Sequence, residues 1–275
     1  VRQITHAFAD EKFDRFARQS FAPQNLGGFA REAVPNLLVV TLTEYEAGMR
    51  ALTAFPKLNV SWTLAQVLGD EKLKHLHIAE TQKYAHVTYF LNGGVEKPFA
   101  GEERILLDSS YRHFDEEPAM RTPDITEKIL ENFDKYDCLI ANFANADMVG
   151  HTGNFQASVK AVEVIDQALK KLTDKVLQSN GVMLITGDHG NIEKKLSLVS
   201  GERVTEHSAN PVYLMLVGQD YKLTKPRTSE EVVLAKTQVA GILTDVTPTF
   251  LEILGIRPAR EMTGKSLLEL FLKQK

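Results

Sequence analysis

Hydrophobic positions along the 275 residues switch repeatedly between two rhythms: short runs of branched side chains, and longer stretches with an apolar residue every three or four positions. The runs at 35–45, 75–79, 105–108, 138–143, 182–186 and 212–217 predict strands. The second rhythm predicts helices. It places one in the first residues, where Ile4, Phe8, Phe13 and Phe16 recur, and others over about 63–73, from 122, over about 155–180 and around 245–254. In Thr122-Pro123-Asp124 the threonine reads as an N-cap and the proline as the first helical residue. The clearest helix is 155–180, with Val159, Val162, Ile165, Leu169, Leu172 and Val176 as its stripe and Gly181 as its C′ residue. Strands alternating with helices predict an α/β fold, a mostly parallel or mixed sheet covered by helices on both faces. Ligands in that architecture collect beyond the carboxyl ends of strands.

Composition narrows the class. A chain that is 43% hydrophobic and 25% charged can bury a core of one or two domains. Its longest apolar runs, Leu37 to Leu42 and Val212 to Val217, are about a third of the ~20 residues a membrane helix needs. Membrane partners are not expected, and neither is a secretory leader. A net charge of −4 with interspersed signs offers no basic face for nucleic acid. The single cysteine, Cys138, lies in an apolar run and reads as a buried small hydrophobe in a reducing, cytoplasmic setting. Val1 is not an initiator methionine, so the chain reads as beginning inside a longer protein. Ala54-Phe55-Pro56-Lys57 reads as a hinge.

Chemistry concentrates in three phrases. Asp147 and His151 stand in Asn-Ala-Asp-Met-Val-Gly-His, Asp188 and His189 in Thr-Gly-Asp-His-Gly-Asn, and His207 in Thr-Glu-His-Ser-Ala-Asn-Pro. The first two follow strand-like runs and the third precedes one, as a site at a sheet edge requires. Carboxylate and imidazole without thiolate favour Mn²⁺, Co²⁺, Zn²⁺ or Mg²⁺. Asp147 and His151 share a face if their segment is helical, although Gly150 and Gly153 also suit a loop. Adjacent Asp188 and His189 point apart on an extended turn, so they suit two ions, or one ion and a substrate group. His6, His75, His77, His86 and His113 lack such context and read as structural or solvated. Gly264-Lys265-Ser266 is no phosphate loop, because the glycine it needs five positions earlier is Ala259. Composition alone puts Lys83 on the surface.

These phrases, with Glu80-Thr-Gln-Lys-Tyr-Ala-His-Val-Thr-Tyr-Phe and Glu261-Met-Thr-Gly-Lys-Ser-Leu, resemble the cofactor-independent phosphoglycerate mutases of the alkaline phosphatase superfamily over nearly the whole chain. The resemblance implies an alkaline phosphatase-like fold over residues 57–275, preceded by the end of an α/β transferase domain at 1–56. It implies two divalent ions, Mn²⁺ or Co²⁺ ahead of Zn²⁺ or Mg²⁺, and no bisphosphoglycerate cofactor. Asp147, His151 and His207 would hold one ion, and Asp188 and His189 would contribute to the other. Lys83 matches a lysine that stabilises the phosphoryl group in transit. The implied partners are 3-phosphoglycerate and 2-phosphoglycerate and the amino-terminal part of the same enzyme, a monomer when complete. That part would carry the nucleophilic serine, since no serine here matches its motif. Another metal-dependent phosphatase or a phosphopentomutase of the superfamily, or a non-catalytic metal-binding fragment, are the rival readings.

Overall fold

The computed structural model describes residues 2–10, 13, 32–46, 48–56, 60–110, 112–197 and 200–272. Phe16 and Lys57, named above for the first helix and the hinge, lie outside them. The chain divides into two compact units, Val1–Asn59 and Val60–Lys275.

In the first unit, helix α1 (Arg2–Ala9) carries His6, whose ring meets Asp10 at 2.6 Å and Glu46 at 3.3 Å. The long strand expected at 35–45 shrinks to β1 (Val40–Thr41), paired in parallel with β2 (Leu52–Thr53). Pro35 donates no hydrogen bond and Asn36 sits at φ 53°, so the run cannot start as a strand there.

The second unit is α/β. Helix α2 (Leu64–Asp70) is capped by the Thr63 side chain and leads into β3 (His75–Glu80). Strand β3 is the centre of a parallel sheet, flanked by β4 (Glu102–Leu107) and β5 (Cys138–Ala141). Every residue of β3 is buried, as expected of a strand covered on both faces. Its apolar members Leu76 and Ile78 pack against Ile125 and Ile129 of α3 (Thr122–Asn132) and Leu172 of α5 (Phe155–Gln178). Between β5 and α5 runs a short helix, α4 (Asn145–Gly150). Strands β6 (Val182–Thr186) and β7 (Leu214–Gly218) form a separate antiparallel pair, so the mixed arrangement holds but β5 and β6 do not pair. Helices α6 (Ser229–Thr237), α7 (Val246–Ile253) and α8 (Leu268–Leu272) follow. Among the described residues no helix is long and apolar enough to cross a membrane. Cys138 is buried, and that burial pushes its thiol up to about 12.

Three local expectations are corrected. Thr122 does not cap α3, because Arg121 takes that place while the Thr122 hydroxyl donates to buried Asn145 at 3.1 Å. Helix α5 ends through Asn180, which takes the left-handed conformation at φ 51°, and Gly181 follows it, donating to Val176 O at 2.8 Å. The buried stripe of α5 is Ala157, Ala161, Ala168, Leu172 and Val176, with Val159 and Val162 exposed. Small alanines let α5 lie close against Ala144 and Val149, so approach distance rather than side-chain bulk chose the inward face.

Buried polar groups of β3 are bonded. His75 Nδ1 lies 2.9 Å from His77 Nε2, and His77 Nδ1 meets the carbonyl of Val87. Glu80 accepts from Ser109 Oγ at 2.8 Å and from the Arg121 N–H at 3.3 Å. Burial nevertheless raises its carboxyl above the ordinary 4.5. A group whose folded pKa is raised gives its full stability below the unfolded value and loses it as pH rises through the folded one. Glu80→Gln, whose amide can donate to the Ser109 oxygen, is therefore expected to gain thermal stability relative to the parent as pH rises from 5 toward 8. A melting-temperature difference that stays flat across that range would contradict it.

Candidate metal centre

The first donor phrase folds as α4, settling loop against helix. Asp147 lies in its first turn, where the helix dipole favours a carboxylate, and His151 closes its end four residues on, on the same face. The His151 Nδ1–H donates to Thr205 O at 2.7 Å. A carbonyl only accepts, so this bond fixes the tautomer and turns the Nε2 lone pair inward.

The loops bring the rest. His207 Nε2 lies 3.1 Å from His151 Nε2, and each stands 3.2 Å from Asp147 Oδ1. An ion held at about 2.1 Å by three donors at roughly 90–110° sets them about 3.0–3.4 Å apart, so these three fit one divalent cation. Asp188 and His189 follow β6. The His189 ring stacks on His207 with centroids 3.7 Å apart, and its Nε2 lies 3.6 Å from Asp188 Oδ2. Those two donors thus sit beside the trio rather than in it. Among the described residues no further carboxylate, imidazole or thiolate completes a second trio around them.

Lys83 is buried, contrary to its composition-based placement, on the turn after β3, and its Nζ donates to Asp147 Oδ2 at 2.5 Å. The Asp147 carboxylate is therefore divided, with Oδ2 facing an ammonium and Oδ1 facing the imidazole pair. Burial alone would raise its pKa. Hydrogen bonds from Lys83 and Asn191, the charge of Lys83 and the electrostatic effect of the nearby His151 ring outweigh that and hold it at about 2, so the ligand is ionised at neutral pH.

Three groups escaped the sequence reading. Asn191 Nδ2 donates to Asp147 Oδ1 at 2.7 Å and to the Asp147 carbonyl at 3.1 Å. Buried Lys195 Nζ donates to Gly150 O at 2.8 Å and to Asn191 Oδ1 at 2.7 Å. His86 lies within the electrostatic reach of Lys83, Asp188, Asp147 and His189, and its buried Nδ1 has no hydrogen-bond partner among the described residues. Its pKa is lowered, first by burial and then by Lys83. The one signal for His86 was its place three residues after Lys83.

The sequence model of the Metalloenzyme superfamily matches residues 31–258. The chain belongs to this superfamily. It is 41% identical over 273 residues to the 2,3-bisphosphoglycerate-independent phosphoglycerate mutase of Clostridium acetobutylicum, covering 98% of this chain and 48% of that one. Phosphoglycerate mutase 2 of the same type from Methanosarcina barkeri is 42% identical over 271 residues, 98% of this chain and 47% of the relative. A crystal structure of Leishmania mexicana phosphoglycerate mutase at low cobalt concentration superposes with a TM-score of 0.72 at 28% identity, covering 95% of this chain and 47% of that chain. The fold is thus the alkaline phosphatase-like α/β arrangement, and this member of the superfamily spans about half the length of the curated relatives it matches.

Proposed function

We propose that this chain is the metal-binding half of a cofactor-independent phosphoglycerate mutase, interconverting 3-phosphoglycerate and 2-phosphoglycerate without bisphosphoglycerate. In this reading Asp147, His151 and His207 hold one divalent ion, Mn²⁺ or Co²⁺, and Asp188 and His189 contribute to a second. Residues 1–56 are the end of the substrate-gripping transferase domain and 57–275 the second part of the phosphatase-like domain. The nucleophilic serine belongs to the amino-terminal part of the enzyme. Divalent ions, when bound, would lower the pKa of that serine and neutralise charge on the phosphoryl oxygens. Lys83 adds a fixed positive charge beside them, preorganised on Asp147 and shielded from water.

The observation that carries this reading is the divided carboxylate of Asp147, which places an ammonium and a three-donor cation site on opposite oxygens of one side chain. Phosphoryl transfer to and from the serine is assisted by that concentration of positive charge, which neutralises the phosphoryl oxygens. The complete protein is expected to convert 3-phosphoglycerate to 2-phosphoglycerate with no added bisphosphoglycerate, to lose activity to a chelator and to regain it with Mn²⁺ or Co²⁺. Release of free phosphate instead would make it a phosphatase of the same superfamily. Metal binding with no turnover of either kind would make it an inert metal-binding module.

A further inference from the structure

The three ligand-bearing phrases come from distant parts of the chain, and one short segment, 191–195, touches the other two. Toward α4 the contacts are those of Asn191 and Lys195, which fasten Asp147 and the carbonyl of Gly150. Toward the His207 segment the contact is Glu193. Its Oε1 accepts from Asn210 Nδ2 at 2.9 Å and from the Ser208 hydroxyl, while its Oε2 accepts from the Asn191 N–H at 2.8 Å. Backbone reinforces the clasp, since Ser208 N–H donates to Gly190 O at 2.9 Å.

The fit around this segment is close. A Cβ on Gly150 would stand 2.5 Å from Asn191 Oδ1, and one on Gly190 would run into Ser208 Oγ and Glu193 Oε1. Both glycines flank metal-capable residues, His151 and His189, so the need for close approach at these positions comes from the clasp.

We infer that Glu193 is a positioning residue that sets His207 against Asp147 and His151 by clasping the 208–210 segment to the loop that carries His189. The inference rests on the metal reading above. A carboxylate is the suited group because all three of its partners donate and it has only acceptors. Among the described residues His207 has no such anchor of its own: it meets His151, Asp147 and His189, the other ligands of the reading above. An imidazole so placed depends on its neighbours at 208 and 210 for its aim.

Mn²⁺ titration of the complete protein, read by the electron paramagnetic resonance of free Mn²⁺, tests this. Glu193→Gln keeps size but puts an NH₂ opposite donors. It is expected to weaken Mn²⁺ binding about 10-fold, the lower end of the loss seen for a group bonded directly to a ligand, because Glu193 acts one contact further out. Glu193→Asp is expected to recover part of the loss. Should Glu193→Gln not fold, the pair Ser208→Ala and Asn210→Ala removes its two side-chain contacts to the 208–210 segment and is expected to show a similar loss. Binding within twofold of the parent in a folded variant would overturn the positioning role while leaving the metal site intact. A parent protein that binds no Mn²⁺ at all would overturn the metal reading and this inference with it.

Discussion

Asp147→Asn is expected to cut divalent-metal affinity by more than about 100-fold, beyond the range typical of an outer-shell partner. Oδ1 stands 3.2 Å from both imidazole nitrogens and Oδ2 stands 2.5 Å from Lys83 Nζ. An amide must turn its NH₂ toward one of these sides. Facing Lys83, it sets donor against donor. Facing the imidazoles, it removes a lone pair that a cation needs. In both orientations the negative charge is gone, and the ammonium of Lys83, whose side chain is 9% exposed, loses its counterion. Breaking a buried pair from one side costs about 3–5 kcal/mol, so the metal-free variant should also melt at a lower temperature. Lys83→Met in the Asp147→Asn background separates the two effects: it should restore much of the melting temperature while leaving most of the lost metal affinity unrecovered. Parent-like Mn²⁺ binding by Asp147→Asn would remove this carboxylate from the site.

The parts of this molecule that could be read from the sequence are those whose cause is local. The strand at 75–79 and the helix at 155–180 follow from runs and spacings, and the structure places β3 and α5 there. The inward face of α5 holds at Leu172 and Val176 but differs in the first turns, because Val159 and Val162 look more hydrophobic than the buried Ala157 and Ala161. What decides the face is how near α4 must come. The donor phrases could be recognised because aspartate and histidine gather there in short stretches that also contain glycine or asparagine. Glu193 and Lys195 could not, since in sequence they are two charges in a polar stretch, and their roles exist only once 191–195 lies between α4 and the 208–210 segment. Lys83 shows the same limit. Composition puts a lysine on the surface, and only the turn after a fully buried strand, with Asp147 opposite, takes it inside.

Lys83→Met is expected to separate metal binding from catalysis, with opposite signs. On the proposed function, loss of a preorganised cation beside the transferring group lowers kcat of the complete enzyme by about 10²–10³-fold. Metal affinity should move the other way. The ammonium sits on the oxygen next to the one that faces the imidazole pair, so a divalent cation binding there is repelled by a like charge a few ångströms off, in surroundings less polar than water. Removing that charge costs Asp147 one hydrogen bond. It does not protonate it at neutral pH, because Asn191 still donates to Oδ1 and His151 stays alongside. Mn²⁺ affinity should therefore equal or exceed that of the parent, whereas Asp147→Asn and Glu193→Gln lower it. A Lys83→Met variant that loses metal in proportion to activity would show the lysine holding the site together rather than acting on the substrate. One that keeps both would leave the ammonium no part in the chemistry.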